Sequence, residues 1–126
     1  LQYNRGMLRL PLAALFALLS ASAAEYSLCF LGSGPKSGSF DKPSVEALQK
    51  QHLDHINRMW KEGPLESAGL VAKLAGKRGI FLFSAPIAEA KKWAEQDPKL
   101  VAGDLSVECY RWLGPAGVGK ERAKRP

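Results

Sequence analysis

The chain has 126 residues, enough for one domain with a single hydrophobic core and little beyond it. Its 46% apolar and 24% charged residues exclude a disordered, collagenous or low-complexity polypeptide. The formal charge of +6 comes from 18 basic against 12 acidic side chains, yet residues 24–119 hold 12 Lys/Arg against 11 Asp/Glu. The excess lies at Arg5 and Arg9 and in Lys120, Arg122, Lys124 and Arg125. No basic stripe is left to track phosphates, so nucleic acid is not an expected partner.

The first segment reads as an export signal. Met7-Leu8-Arg9 is a short basic flank, Leu10 to Leu19 an apolar run, and Ser20-Ala21-Ser22-Ala23-Ala24 a stretch of small residues. That is the three-part layout of a secretory signal peptide. The apolar run is too short for the ~20 residues that cross a bilayer as a helix, so no stable membrane anchor is expected. Ala21 and Ala23 satisfy the small-residue cleavage rule, which puts the mature start at Ala24 or Glu25 and predicts a periplasmic or secreted protein. Leu1 to Gly6 read as sequence upstream of the start methionine. The expected organisation is therefore a targeting segment over 1–23, a domain over 24–113 and a loose basic tail over 114–126.

Export changes how the cysteines read. Cys29 and Cys109 are the only pair, and an oxidising compartment lets them bridge; two buried free thiols are the other reading. With no CxxC, no HExxH and no clustered His/Cys set, neither a metal nor a cofactor is expected.

Tyr26 to Gly32 is apolar and aromatic, and the Gly/Ser/Pro/Lys stretch to Ser39 follows it, which predicts a first strand and a loop. That loop lacks the spacing of a phosphate-binding loop and reads as a linker or a flap. Phe40-Asp41-Lys42-Pro43 marks a helix start, with Asp41 able to cap and Pro43 suited to the first turn. The helix should run to about Glu62 and stop at Gly63-Pro64. Val45, Leu48, His52, Ile56 and Met59 recur at three- and four-residue steps, so His52 falls inside the buried stripe. His55 falls at its edge, facing solvent.

Leu65 to Val71 reads as a second strand and Gly79 to Ser84 as a buried third, with a turn at Ala75-Gly76-Lys77-Arg78 between them. Pro86 to Gln96 predicts a second helix with Ile87, Ala90, Trp93 and Ala94 on one side. Asp97-Pro98 ends it, because the residue before proline avoids the α region. Leu105 to Leu113 alternates as a fourth strand.

The order β-α-β-β-α-β is the α+β, ferredoxin-like plan, a four-stranded antiparallel sheet with two helices on one face. Its first and fourth strands are neighbours, which favours a Cys29–Cys109 bridge if the register is right. Phe, Leu and Tyr on both alternations of the strands imply that the second sheet face is covered as well, most simply in a homodimer.

A group of short motifs carries a resemblance. They are Gln51-His52-Leu53, Glu62-Gly63-Pro64-Leu65 with Ala68-Gly69, and Ala94-Glu95-Gln96-Asp97-Pro98 leading to Val101-Ala102-Gly103, closed by a strand ending in Trp112. Together they resemble the YCII-related (YciI-like) family of the dimeric α/β-barrel group, over about residues 26–113. The resemblance implies that His52 and Asp97 are a catalytic pair, with dehydrochlorinase- and isomerase-type activities as precedents. The chain departs from the family at Leu70, where Ala-Gly-Pro is frequent, and an export signal is unusual there.

A carboxylate beside an imidazole orients the ring and fixes its tautomer for proton transfer. No serine sits in a nucleophile elbow. The expected chemistry is therefore proton abstraction, elimination or isomerisation on a small organic molecule, with Lys36 and His55 as candidate substrate contacts. The alternative is a non-catalytic ligand-binding or oligomeric accessory module, in which His52 bonds backbone and Asp97 faces water; Asp before Pro is also a plain turn former.

Overall fold

The computed structural model describes residues 23–118. The targeting segment expected over 1–23 lies outside that range except for Ala23, as do the basic residues of the expected tail. The elements are β1 (Ala23–Ser33), α1 (Lys42–Lys61), β2 (Leu65–Leu70), β3 (Lys77–Phe83), α2 (Ile87–Glu95), α3 (Pro98–Val101) and β4 (Leu105–Pro115). The strands form one sheet in the order β2-β3-β1-β4, and every neighbouring pair is antiparallel. This is the expected ferredoxin-like arrangement, with one addition. The single-turn helix α3 follows Asp97, where the sequence predicts only the end of α2.

Local chemistry accounts for the elements. Asp41 accepts a hydrogen bond from Ser44 N at 2.9 Å and so caps α1, with proline in the first turn. The same bonds to Ser44 hold the Asp41 carboxyl below its ordinary value of 3.8. At the other end Glu62 and Gly63 donate back to Arg58 and Met59 carbonyls, and Pro64 prevents continuation. β4 runs to Pro115, two residues past the expected end, because Gly114 and Pro115 pair with Ala24 and Ala23.

Strand alternation divides the sheet into two faces. Ser27, Cys29 and Leu31 of β1, Phe81 and Phe83 of β3, and Leu105 of β4 turn toward the helices and are buried. Met59 of α1 and Ala90 and Ala94 of α2 close this core from above. Ser27 Oγ donates to the Ala85 carbonyl at 2.7 Å, which satisfies its buried hydroxyl.

Cys29 and Cys109 stand directly opposite in the β1–β4 register, 4.0 Å apart at Cα, and are joined by a disulfide. On the reverse face Phe30 meets Tyr110 and Tyr26 meets Trp112, at ring-centroid distances of 6.0 and 5.3 Å. Tyr110 and Trp112 remain open to solvent there.

The loop after β1 is pinned rather than loose. Gly34 N donates to Asp104 O and Lys36 N to Gly103 O, at 2.9 and 2.8 Å. The approach needs glycine on both sides. A Cβ at Gly34 would lie 2.2 Å from Gly103 O, and Gly103 itself has a φ of +84°.

Candidate active site

Along α1, Gln49, His52 and Ile56 follow at three- and four-residue steps and line a cavity of about 390 Å³ between that helix and the sheet. The sheet side is formed by Leu31, Gly79, Phe81 and Leu105, and the end of β2 contributes Ala68 to Leu70. The cavity exists because of one position. The inward residues of β3 are Phe83, Phe81 and then Gly79, so the third place in that row has no side chain to fill it. Opposite it in the register is Leu70, which stands almost fully exposed at the mouth.

His52 lines this cavity, and Asp97, which does not line it, meets the imidazole from the buried side. His52 Nδ1 lies 2.5 Å from Asp97 Oδ2, with the imidazole 12% exposed and the carboxylate fully buried. The other oxygen, Oδ1, accepts from Lys99 N at 2.9 Å and caps α3. Asp97 therefore does both things its sequence context allows: it forms the turn before Pro98 and it holds the histidine. The backbone cap fixes the carboxylate, and the carboxylate fixes the ring. Because Oδ2 is an acceptor, Nδ1 carries the proton, and in the neutral ring Nε2 is left with its lone pair. Among the described residues nothing bonds to Nε2. The ring stacks at 6.3 Å on Phe81, which sets its plane against the cavity wall.

The second histidine corrects an expectation. His55 does not face solvent; it is 8% exposed, and its Nε2 donates to Trp93 O at 2.8 Å. The buried face of α1 is rotated toward the segment from Trp93 to Val101, so Val45 is half exposed while His55 and Met59 are buried. Three- and four-residue periodicity defines a stripe, but the packed neighbour decides its centre. His55 thus ties α1 to the end of α2, just ahead of Asp97, and does not line the cavity that His52 faces.

Lys36 also lies elsewhere. It is exposed, its stem packs on Gly103, and it does not line the cavity. The lysine that does is Lys99, whose Nζ donates to Gln49 Oε1 at 2.5 Å. Arg78 lines the rim and reaches the Asp104 carboxylate at 3.8 Å. Neither was marked by the sequence. Gln49 had a legible signal, three residues before His52 on the same helix face, and so did Gly79, as the break in an inward row of phenylalanines. Among the described residues no cluster of three His, Cys, Asp or Glu is placed to hold a metal ion. No described helix is long and apolar enough to cross a membrane.

No protein-family model matches the chain, and no curated protein sequence does. Among solved structures it is similar to 5-chloro-2-hydroxyhydroquinone dehydrochlorinase (TftG) from Burkholderia phenoliruptrix AC1100, in complex with 2,5-dihydroxybenzoquinone. The TM-score is 0.50 at 19% identity, covering 69% of this chain and 92% of the other. At that identity the likeness is one of fold, and it agrees with the ferredoxin-like α+β architecture.

Proposed function

We propose that this chain is an exported, YCII-related acid/base enzyme that abstracts a proton from a small organic molecule and completes an elimination or an isomerisation. The observation that carries the reading is the His52–Asp97 bond at the wall of a cavity, with Nε2 left to act. A volume of about 390 Å³ suits a single-ring molecule rather than a polymer.

In the reaction, His52 Nε2 takes a proton from a C–H or O–H of the substrate, and the Asp97 carboxylate stabilises the imidazolium that forms. Return of that proton to another carbon is isomerisation. If the freed electron pair instead forms a double bond and expels an anion such as chloride, the reaction is elimination, and His52 later passes its proton to solvent. The fold shared with a dehydrochlorinase makes halogenated hydroxyquinols the first substrates to try. The accessory-module alternative allows His52 on backbone and Asp97 in water, and the direct bond between the two supports the catalytic reading over it.

The test is chloride release from 5-chloro-2-hydroxyhydroquinone, together with solvent-deuterium incorporation into a panel of small enolisable compounds. His52→Ala and Asp97→Asn are expected to lower turnover by about 10²–10⁴-fold with an unchanged circular-dichroism spectrum. Turnover that survives in His52→Ala, or a wild type that exchanges and releases nothing, overturns the reading.

The same proposal includes a second copy over the reverse face of the sheet, where Tyr110 and Trp112 stand open. Sedimentation should give twice the monomer mass, and N-terminal sequencing of the exported protein should begin at Ala24 or Glu25.

A further inference from the structure

We infer that the cavity is built for an organic oxyanion, with the Lys99 ammonium receiving the ionised oxygen of a small aromatic or enolic acid on the same side of the cavity as His52. This names the substrate class of the site proposed above and rests on that reading for its chemistry, though not for its binding.

The starting observation is an under-paired buried charge. The Lys99 side chain is 9% exposed, yet its ammonium has one hydrogen bond among the described residues, to the neutral amide oxygen of Gln49 at 2.5 Å. The nearest carboxylate oxygen, Asp104 Oδ2, is 4.0 Å away, beyond hydrogen-bond reach. Asp104 is also divided, because its Oδ1 faces Arg78 Nη1 at 3.8 Å. Asp97 offers no further partner, since Oδ1 and Oδ2 are taken by Lys99 N and His52. Two cations thus share one distant carboxylate beside a mainly apolar cavity.

A lysine has three N–H donors, and leaving them without acceptors in a water-poor site is costly. A ligand oxyanion supplies the missing acceptor and charge together, in the kind of charge-assisted bond that is strongest when desolvated. The rest of the cavity fits the other half of such a molecule. Leu31, Ile56, Phe81 and Leu105 offer apolar contact to a ring, and the missing side chain at Gly79 leaves room for it.

The placement has a catalytic consequence. Gln49 and His52 lie one turn apart on α1 and both face the cavity, so the ammonium held by Gln49 and the imidazole address one bound molecule from the same wall. When His52 removes a proton, negative charge spreads onto the substrate oxygen, and a fixed ammonium there stabilises it as it develops. His52 takes the proton and Lys99 takes the charge.

The experiment is calorimetric titration of the full chain with benzoate, with its neutral isostere benzamide, and with 2,5-dihydroxybenzoquinone. Both acids are expected to bind at least tenfold tighter than benzamide. Lys99→Met should weaken the two acids about tenfold or more and leave benzamide unchanged, while Lys99→Arg should restore most of the preference. Equal binding of benzoate and benzamide by the wild type, binding of none of the three at millimolar concentration, or a preference that survives Lys99→Met overturns the inference. The wild-type comparison needs no variant, so a misfolded Lys99→Met leaves the test standing. His52→Ala separates the two proposals: it should keep the anion preference, and it does so even if no turnover is ever found.

Discussion

The two ends of the helix–sheet layer are built from the same elements and do opposite things. At one end Phe83, Leu65 and Met59 interlock with Ala90 and Ala94, and His55 is spent on a backbone carbonyl of Trp93. At the other end, Gly79 leaves the row empty, and His52 keeps one ring nitrogen for a ligand. The two histidines are three residues apart on α1. The inward row of β3 has Gly79 at the end where His52 lines the cavity and Phe83 at the closed end.

The contrast can be broken at the closed end first. Phe83→Ala should cost about 3–5 kcal/mol in urea denaturation, because a fully buried ring is removed from a core with no room to relax. Ligand binding by the fraction still folded should not change. An effect under about 1 kcal/mol would mean that the closed end is as loosely packed as the open one.

Filling the open end is the converse. Gly79→Val should abolish ligand binding and lower stability by about 1–3 kcal/mol, since a Cβ there would stand 2.9 Å from Gly69 O. Unimpaired binding would place the ligand outside this cavity.

Exchanging the roles of the histidines sharpens the comparison further. His55→Ala should cost about 1–3 kcal/mol by leaving the Trp93 carbonyl with only the longer bond from Gln96 N at 3.3 Å, with a smaller loss of turnover than His52→Ala. If His55→Ala instead abolishes turnover while the fold survives, the Trp93–Asp97 segment needs that tie to present Asp97.

The smallest effect lies at the exposed start of α1. The folded-state pKa of Asp41 is lowered by its bonds to Ser44, so its contribution is present above the unfolded-state value and is lost as pH falls through the folded one. Melting temperature should therefore fall more steeply with acid in the wild type than in Asp41→Asn, which keeps a capping side chain but does not titrate. Parallel curves would remove the cap from the acid response, leaving Glu108, lowered by Lys77 and Tyr110, to account for it.

Legibility followed range. Caps, stops and alternation are properties of a few adjacent residues, so Asp41, Gly63-Pro64 and the β-α-β-β-α-β order could be read directly, and the order placed Cys29 beside Cys109. The pair His52 and Asp97 lies 45 residues apart, and resemblance rather than any local rule brought it forward. Where local rules were used for a global property they slipped: the stripe through Val45 was off-centre, His55 was turned outward, and the short helix capped by Asp97 was missed.

The sequence alone determined the four strands and the two longer helices, their order and the neighbourhood of the two cysteines, because those depend on backbone preference and on the few ways such an order can form a sheet. Only the tertiary structure decided that His55 is bonded to the Trp93 carbonyl while His52 lines the cavity, that Lys99 rather than Lys36 faces that cavity, and that Gln49 holds its ammonium. Those assignments depend on how α1 rolls against the segment after Trp93. That roll is set by the fit of Met59, His55 and Trp93, contacts that no short window of the chain contains.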